Sequence, residues 1–161
     1  MSHFENVLGA YQEKNTSTEI IQNCVCNIED IPALAKEMAA KLLPGTWLLL
    51  DADLGAGKTT LVNEICLSLG SKEESGSPTF SISNVLNLPI PSESGIEKII
   101  HIDLYRIARG AELPFLGIEN EFLPASTLLI MEWPYQVDED DWDDFFTLTA
   151  CLSHLFLCFS A

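Results

Sequence analysis

Basic residues are scarce in this chain: eight Lys and Arg stand against twenty-four Asp and Glu, a formal net charge of −16 over 161 residues. The eight are dispersed, at Lys14, Lys36, Lys41, Lys58, Lys72, Lys98, Arg106 and Arg109, so no basic patch forms from sequence neighbours. Nucleic-acid binders neutralise phosphates with clustered Lys and Arg. Unaided nucleic-acid binding is therefore not expected, nor is docking on an anionic membrane surface. Long apolar runs are missing as well. Stretches such as Trp47–Leu50 and Leu128–Met131 fall far short of the roughly 20 residues that span a bilayer. The first twenty residues have neither a basic start nor an apolar segment of the secretory type, and no export signal is expected. Cysteine is modest: Cys24, Cys26, Cys66, Cys151 and Cys158 are odd in number and contain no C-x-x-C pair. That pattern predicts reduced, mostly buried thiols in a cytoplasmic setting rather than a disulfide framework or a zinc site.

The chain is 47% hydrophobic, enough for a sizeable core at a length that predicts one domain. Residues 1–18 are polar with little periodicity and read as an extension; residues 19–161 read as the domain. Ile20, Ile21, Val25 and Ile28 suggest a first strand. Asn27 or Asp30 then caps a helix from about Pro32 to Leu43, which Pro44-Gly45 ends. Thr46–Asp51 is an unbroken apolar run of the kind buried on both faces of a parallel sheet. A glycine loop follows, and Lys58–Leu69 is periodic at helical spacing, with Gly70 as its stop. Further strands are expected at Thr79–Val85, Lys98–Asp103 and Thr127–Glu132, with short helical patterns at Glu112–Leu116 and Ile118–Phe122. Phe145–Phe159 reads as one or two C-terminal edge strands, taken as antiparallel. The alternation predicts an α/β fold with a largely parallel central sheet flanked by helices. Asp138–Asp144 holds six carboxylates; it reads as a solvated loop, with a divalent-cation site or a basic-partner surface as the other readings.

Ala52-Asp53-Leu54-Gly55-Ala56-Gly57-Lys58-Thr59 matches the phosphate-binding pattern G-x-x-x-x-G-K-[ST] at every fixed position but the first. Gly55 and Gly57 let backbone N–H groups curl round phosphates, and the following helix points its positive end at them. Lys58 is placed to reach the β- and γ-phosphates and Thr59 to hold Mg²⁺. The loop lies between an expected strand and an expected helix, the context in which the motif carries meaning. Ala52 stands at the strand exit, where it can serve if the backbone keeps a negative φ and would be strained at a positive one. Asp103 and Glu132 each close an apolar strand, and in open α/β sheets ligands gather at those carboxyl ends. His101 reads as a satisfied core histidine, with a catalytic acid or base as the alternative. Arg106 is read equally as an internal arginine finger or as a partner of nearby acids. Thr79 reads as a turn residue or a γ-phosphate sensor.

Five segments together resemble the TsaE (YjeE-type) P-loop ATPases of bacterial tRNA threonylcarbamoyladenosine synthesis. They are Asp53–Thr60, Ser77-Pro78-Thr79-Phe80, His101-Ile102-Asp103-Leu104-Tyr105-Arg106, Glu112–Ile118 and Glu132-Trp133-Pro134, in the family's order. The resemblance implies a P-loop NTPase-like fold and Mg²⁺-dependent ATP hydrolysis with low intrinsic turnover. It implies partners of the TsaD and TsaB type, to which the tRNA chemistry itself belongs. By position it puts the phosphate loop on Asp53, Leu54, Gly55, Ala56, Gly57, Lys58, Thr59 and Thr60, the metal ligands on Thr59 and Glu132, and the catalytic roles on Asp103, Lys58 and Glu132. Two other readings stay open: a small-molecule P-loop kinase, for which an Arg-rich lid is poorly supplied, and a nucleotide-gated interaction module with little turnover.

Overall fold

The computed structural model describes residues 18–21, 27–73, 75, 82–106, 117–136 and 154–159. In chain order these form β1 (Thr18–Ile21), α1 (Ile31–Lys41), β2 (Thr46–Asp51), α2 (Lys58–Ser68), β3 (Ser83–Asn87), β4 (Lys98–Asp103), α3 (Ile118–Glu121), β5 (Thr127–Glu132) and β6 (His154–Phe159). One six-stranded sheet carries them in the order β1-β6-β2-β5-β4-β3. Every neighbouring pair is parallel except β3 with β4.

The expected α/β fold with a largely parallel sheet is present, with a correction at the C-terminus. The last strand is neither antiparallel nor at an edge: β6 lies between β1 and β2 and runs parallel to both. The antiparallel pair is β3–β4 instead. Their connection, residues 88–97, is short and holds no helix, so it can only reverse direction, whereas a parallel return needs a crossover of a dozen or more residues. Ile28, read as part of the first strand, belongs to a 3₁₀ turn, Ile28–Asp30, and is 73% exposed. Val25 and the helical pattern at 112–116 lie outside the described residues, as do Thr79, Arg109 and the acidic run 138–144.

Local chemistry explains the helix ends. Asn27 N–H donates to Asp30 Oδ2 at 3.1 Å, bracing the turn that leads into α1, and Pro32 sits in the first turn, where its missing N–H costs nothing. α1 stops as Leu42 turns extended, and Gly45, at φ 78°, donates its N–H to Thr127 O. At the end of α2, Gly70 takes φ 98°, Gly70 N–H bonds Leu67 O and Ser71 N–H bonds Cys66 O. This is the left-handed glycine closure that satisfies the last carbonyls of a helix.

α1 and α2 cover one face of the sheet. Ala35, Met38, Leu61, Val62 and Ile65 pack there on Leu48, Leu50, Ile99, Leu128 and Ile130. The opposite face buries Trp47, Leu49, Ile100, Ile102, Leu129 and Met131, and Trp47 meets Phe122 edge to face at 6.1 Å. Each such side chain stabilises the fold by roughly 1.5–3 kcal/mol relative to exposure. Because β2, β5 and β4 are parallel and in register, their carboxyl ends share one edge. Leu50 pairs with Glu132, and Glu132 with Asp103.

Candidate functional site

At that edge the chain leaves β2 through residues 52–57 and enters α2 at Lys58. Two glycines make the loop possible, Gly55 at φ 81° and Gly57 at φ 91°, a region L side chains rarely adopt. Ala52 is not among the described residues at positive φ, so its methyl imposes no backbone strain. The first-turn N–H groups of α2 have no carbonyl a turn earlier to bond and give the loop a positive end.

Lys58 is folded back on the loop. Its Nζ donates to Ala52 O at 2.6 Å and Asp53 O at 2.9 Å, and lies 3.7 Å from the centre of the Trp133 ring. Burial pushes its pKa below the ordinary lysine value, against the opposing pull of Glu132, Asp51, Asp103 and Asp53. Burial likewise raises the Asp51 carboxyl, an effect the Lys58 charge opposes and Asp53 reinforces.

Thr59, the next residue, places Oγ1 at 3.1 and 3.3 Å from the two oxygens of Glu132, which is only 2% exposed. Glu132 Oε1 also meets His101 Nε2 at 2.9 Å, and His101 Nδ1 meets Ser75 Oγ at 2.6 Å. Asp103 Oδ1 accepts the Tyr105 N–H at 3.0 Å. These groups open on a cleft of about 380 Å³ lined by Leu54, Gly55, Thr60, Asp103, Arg106 and Trp133 among others.

The expected residues are thus brought together. Lys58, Thr59, Asp103 and Glu132 come from three elements to one cleft; Leu54 and Thr60 line it, and Asp53 contributes a carbonyl to Lys58. Two partners escaped sequence reasoning. Ser75, which lies outside every motif that the sequence offers, completes the His101 contacts. Trp133 faces Lys58 because its backbone takes φ 61°, the single left-handed non-glycine among the described residues. Such strain costs on the order of 1–3 kcal/mol. It is held by Trp133 N–H on Leu50 O and Gln136 N–H on Trp133 O, each 3.1 Å. The Trp133-Pro134 pair gave no warning of this, since a residue before proline ordinarily takes extended backbone at negative φ.

The donor set suits a small hard cation. Among the described residues no group of three or more His, Cys, Asp or Glu could enclose a metal. A hydroxyl and a carboxylate beside a phosphate loop are what Mg²⁺ uses, since it keeps its waters and borrows phosphate oxygens rather than a full protein cage.

A parallel sheet with a glycine loop running from a central strand into a helix, and carboxylates at the neighbouring strand ends, defines the P-loop NTPase-like class of α/β proteins. Comparison narrows it. The family model described as "Threonylcarbamoyl adenosine biosynthesis protein TsaE" matches residues 25–152. The chain is 34% identical over 113 residues to the tRNA threonylcarbamoyladenosine biosynthesis protein TsaE of Bacillus subtilis, covering 70% of this chain and 66% of that protein. The protein of the same name from Haemophilus influenzae is 40% identical over 84 residues, 52% of this chain and 49% of its own. The crystal structure of Bacillus subtilis YdiB superposes with a TM-score of 0.50 at 29% identity, covering 70% of this chain and 63% of that one. The chain belongs to the TsaE family. It spans about half to two-thirds of the length of these relatives, and among its described residues no helix is long and apolar enough to cross a membrane.

Proposed function

We propose that the protein is a Mg²⁺-dependent ATPase serving tRNA N6-threonylcarbamoyladenosine formation, acting in the cytoplasm with a TsaD–TsaB-type complex. The observation that carries the nucleotide reading is the meeting of Thr59 Oγ1 with the buried Glu132 carboxylate beside Lys58 and the glycine loop. The pathway and the partners rest on family membership.

In this reading the loop amides from Gly55 to Thr60 and the N-terminus of α2 receive the phosphates. Lys58 supplies a compact positive charge. Its present partners, two neutral carbonyls and an indole face, are weaker acceptors than a phosphate anion, so the ammonium is free to transfer to one. Thr59 and Glu132 would hold Mg²⁺, which when bound neutralises phosphate charge. Asp103, on the strand beside Glu132, orients the attacking water through its carboxylate. Arg106 lines the same cleft and adds a second positive charge to it.

Calorimetric titration with ATP, ADP and GTP in Mg²⁺, beside Lys58→Ala, tests this. Adenine nucleotides should bind, and the variant should lose a charge-assisted contact of about 1.5–3 kcal/mol, about ten- to hundredfold in affinity. Equal binding by the variant, or none by the parent, overturns the reading. Hydrolysis stimulated by a TsaD–TsaB-type complex is the corresponding assay of turnover.

A further inference from the structure

His101 is fully buried on β4, on the same face as α2, with Ser75 on one ring nitrogen and Glu132 on the other. A carboxylate oxygen 2.9 Å from Nε2 can only accept, so Nε2 carries a hydrogen. In the neutral ring Nδ1 is then an acceptor, and the Ser75 hydroxyl donates to it. Serine, histidine and a carboxylate in series suggest a hydrolytic triad, but Ser75 is 3% exposed and cannot reach a substrate. The polarity is also reversed, with the carboxylate on Nε2.

The series ends at Thr59. Glu132 Oε1 accepts from His101 at 2.9 Å and lies 3.1 Å from Thr59 Oγ1, whereas among the described residues Oε2 has only the longer 3.3 Å contact with Thr59. Oε2 is therefore the oxygen with lone pairs to spare. We propose that His101 is a positioning residue: it pins Oε1 of Glu132 so that the carboxylate presents Oε2, beside Thr59, to a divalent cation, while Ser75 braces the far ring nitrogen. This rests on the reading above that Thr59 and Glu132 hold Mg²⁺. Partners of this kind behind a metal carboxylate typically control metal affinity by about 10–100-fold.

Two substitutions of similar polarity separate positioning from packing. His101→Gln can bring an amide N–H to the place of Nε2 and keep the Glu132 contact; His101→Asn reaches only as far as Nδ1 and keeps Ser75. Nucleotide affinity is measured by calorimetry with ATP in EDTA and across a Mg²⁺ series. His101→Asn should need about tenfold more Mg²⁺ for half-maximal tightening, with its affinity in EDTA unchanged, and His101→Gln should stay near the parent. Imidazole ¹⁵N NMR of the ligand-free parent should show Nε2 protonated. An unprotonated Nε2, an Asn variant with the parent's Mg²⁺ demand, equal losses with and without Mg²⁺, or a Gln variant no better than Asn overturns the proposal. A parent whose ATP binding does not respond to Mg²⁺ instead brings down the metal reading beneath it. Should both variants fail to fold, the NMR result on the parent decides.

Discussion

A single carboxylate at the end of β2 shows how the site trades against stability. Burial raises the pKa of Asp51 in the folded protein. A group with a folded pKa above its unfolded value adds stability only below the unfolded pKa, and loses it as pH rises through the folded one. At neutral pH ionised Asp51 is therefore a cost. Asp51→Asn should raise the thermal midpoint at pH 7 and give no gain below the ordinary carboxylate pKa of 3.8, as melts at the two pH values would show; a loss at pH 7 would mean that its attraction to Lys58 outweighs its desolvation. Residue identity made Lys58, Thr59, Asp103 and Glu132 legible, because motif spacing and strand-end position mark them. His101 was legible as a satisfied buried histidine, but its two partners come from residues 26 positions earlier and 31 later, a distance no local pattern reports. Cys66 behaves as its composition suggested: burial lifts its thiol to about 12, which leaves it inert as a nucleophile at neutral pH.

At the scale of elements the strand–loop–helix unit depends on two positions that differ in kind. Gly57 caps α2 at φ 91°, and an added Cβ would stand 3.3 Å from Ile31 Cδ1 on α1. Gly57→Ala should cost about 1–2 kcal/mol from the left-handed backbone alone, read as a lower urea midpoint with unchanged slope. Ala52 is the contrasting case. It departs from the sequence pattern, yet only its carbonyl is used, by Lys58, and its backbone is not left-handed. Ala52→Gly should leave nucleotide affinity within about twofold while lowering stability by about 0.4–1 kcal/mol through the unfolded chain. Tighter binding by this variant would show that the methyl obstructs the loop. The departure from consensus was readable in the sequence, but whether it matters was not, since φ is set by how β2 and α2 are placed.

The whole molecule carries a net charge of −16, and self-repulsion of that size destabilises the compact state. Attractive surface pairs among the described residues include Lys98–Glu121 at 2.8 Å and Lys41–Glu37 at 3.4 Å, each worth about 0–1 kcal/mol. Raising salt from about 10 to about 150 mM shrinks the screening length from about 30 to about 8 Å. Relief of long-range repulsion should outweigh the weakening of such pairs, so the thermal midpoint should rise. A fall would mean that attractive pairs dominate.

What the residues alone determined were the elements with strong local marks: the doubly buried β2, the helices α1 and α2 with their glycine stops, the glycine loop, and the acids that end β4 and β5. Periodicity, capping and motif spacing are properties of neighbours in the chain. Tertiary structure decided the rest. The apolar alternation near the C-terminus was equally compatible with an edge strand, and only the pairing with β1 and β2 made β6 an interior parallel strand. Register set Asp103 beside Glu132, and strain held at Trp133 turned its ring over Lys58. The Ser75–His101–Glu132–Thr59 series exists because four distant segments meet on one face of the sheet. Those features depend on contacts whose energy is realised only after the chain has paired its strands, so no stretch of sequence encodes them alone.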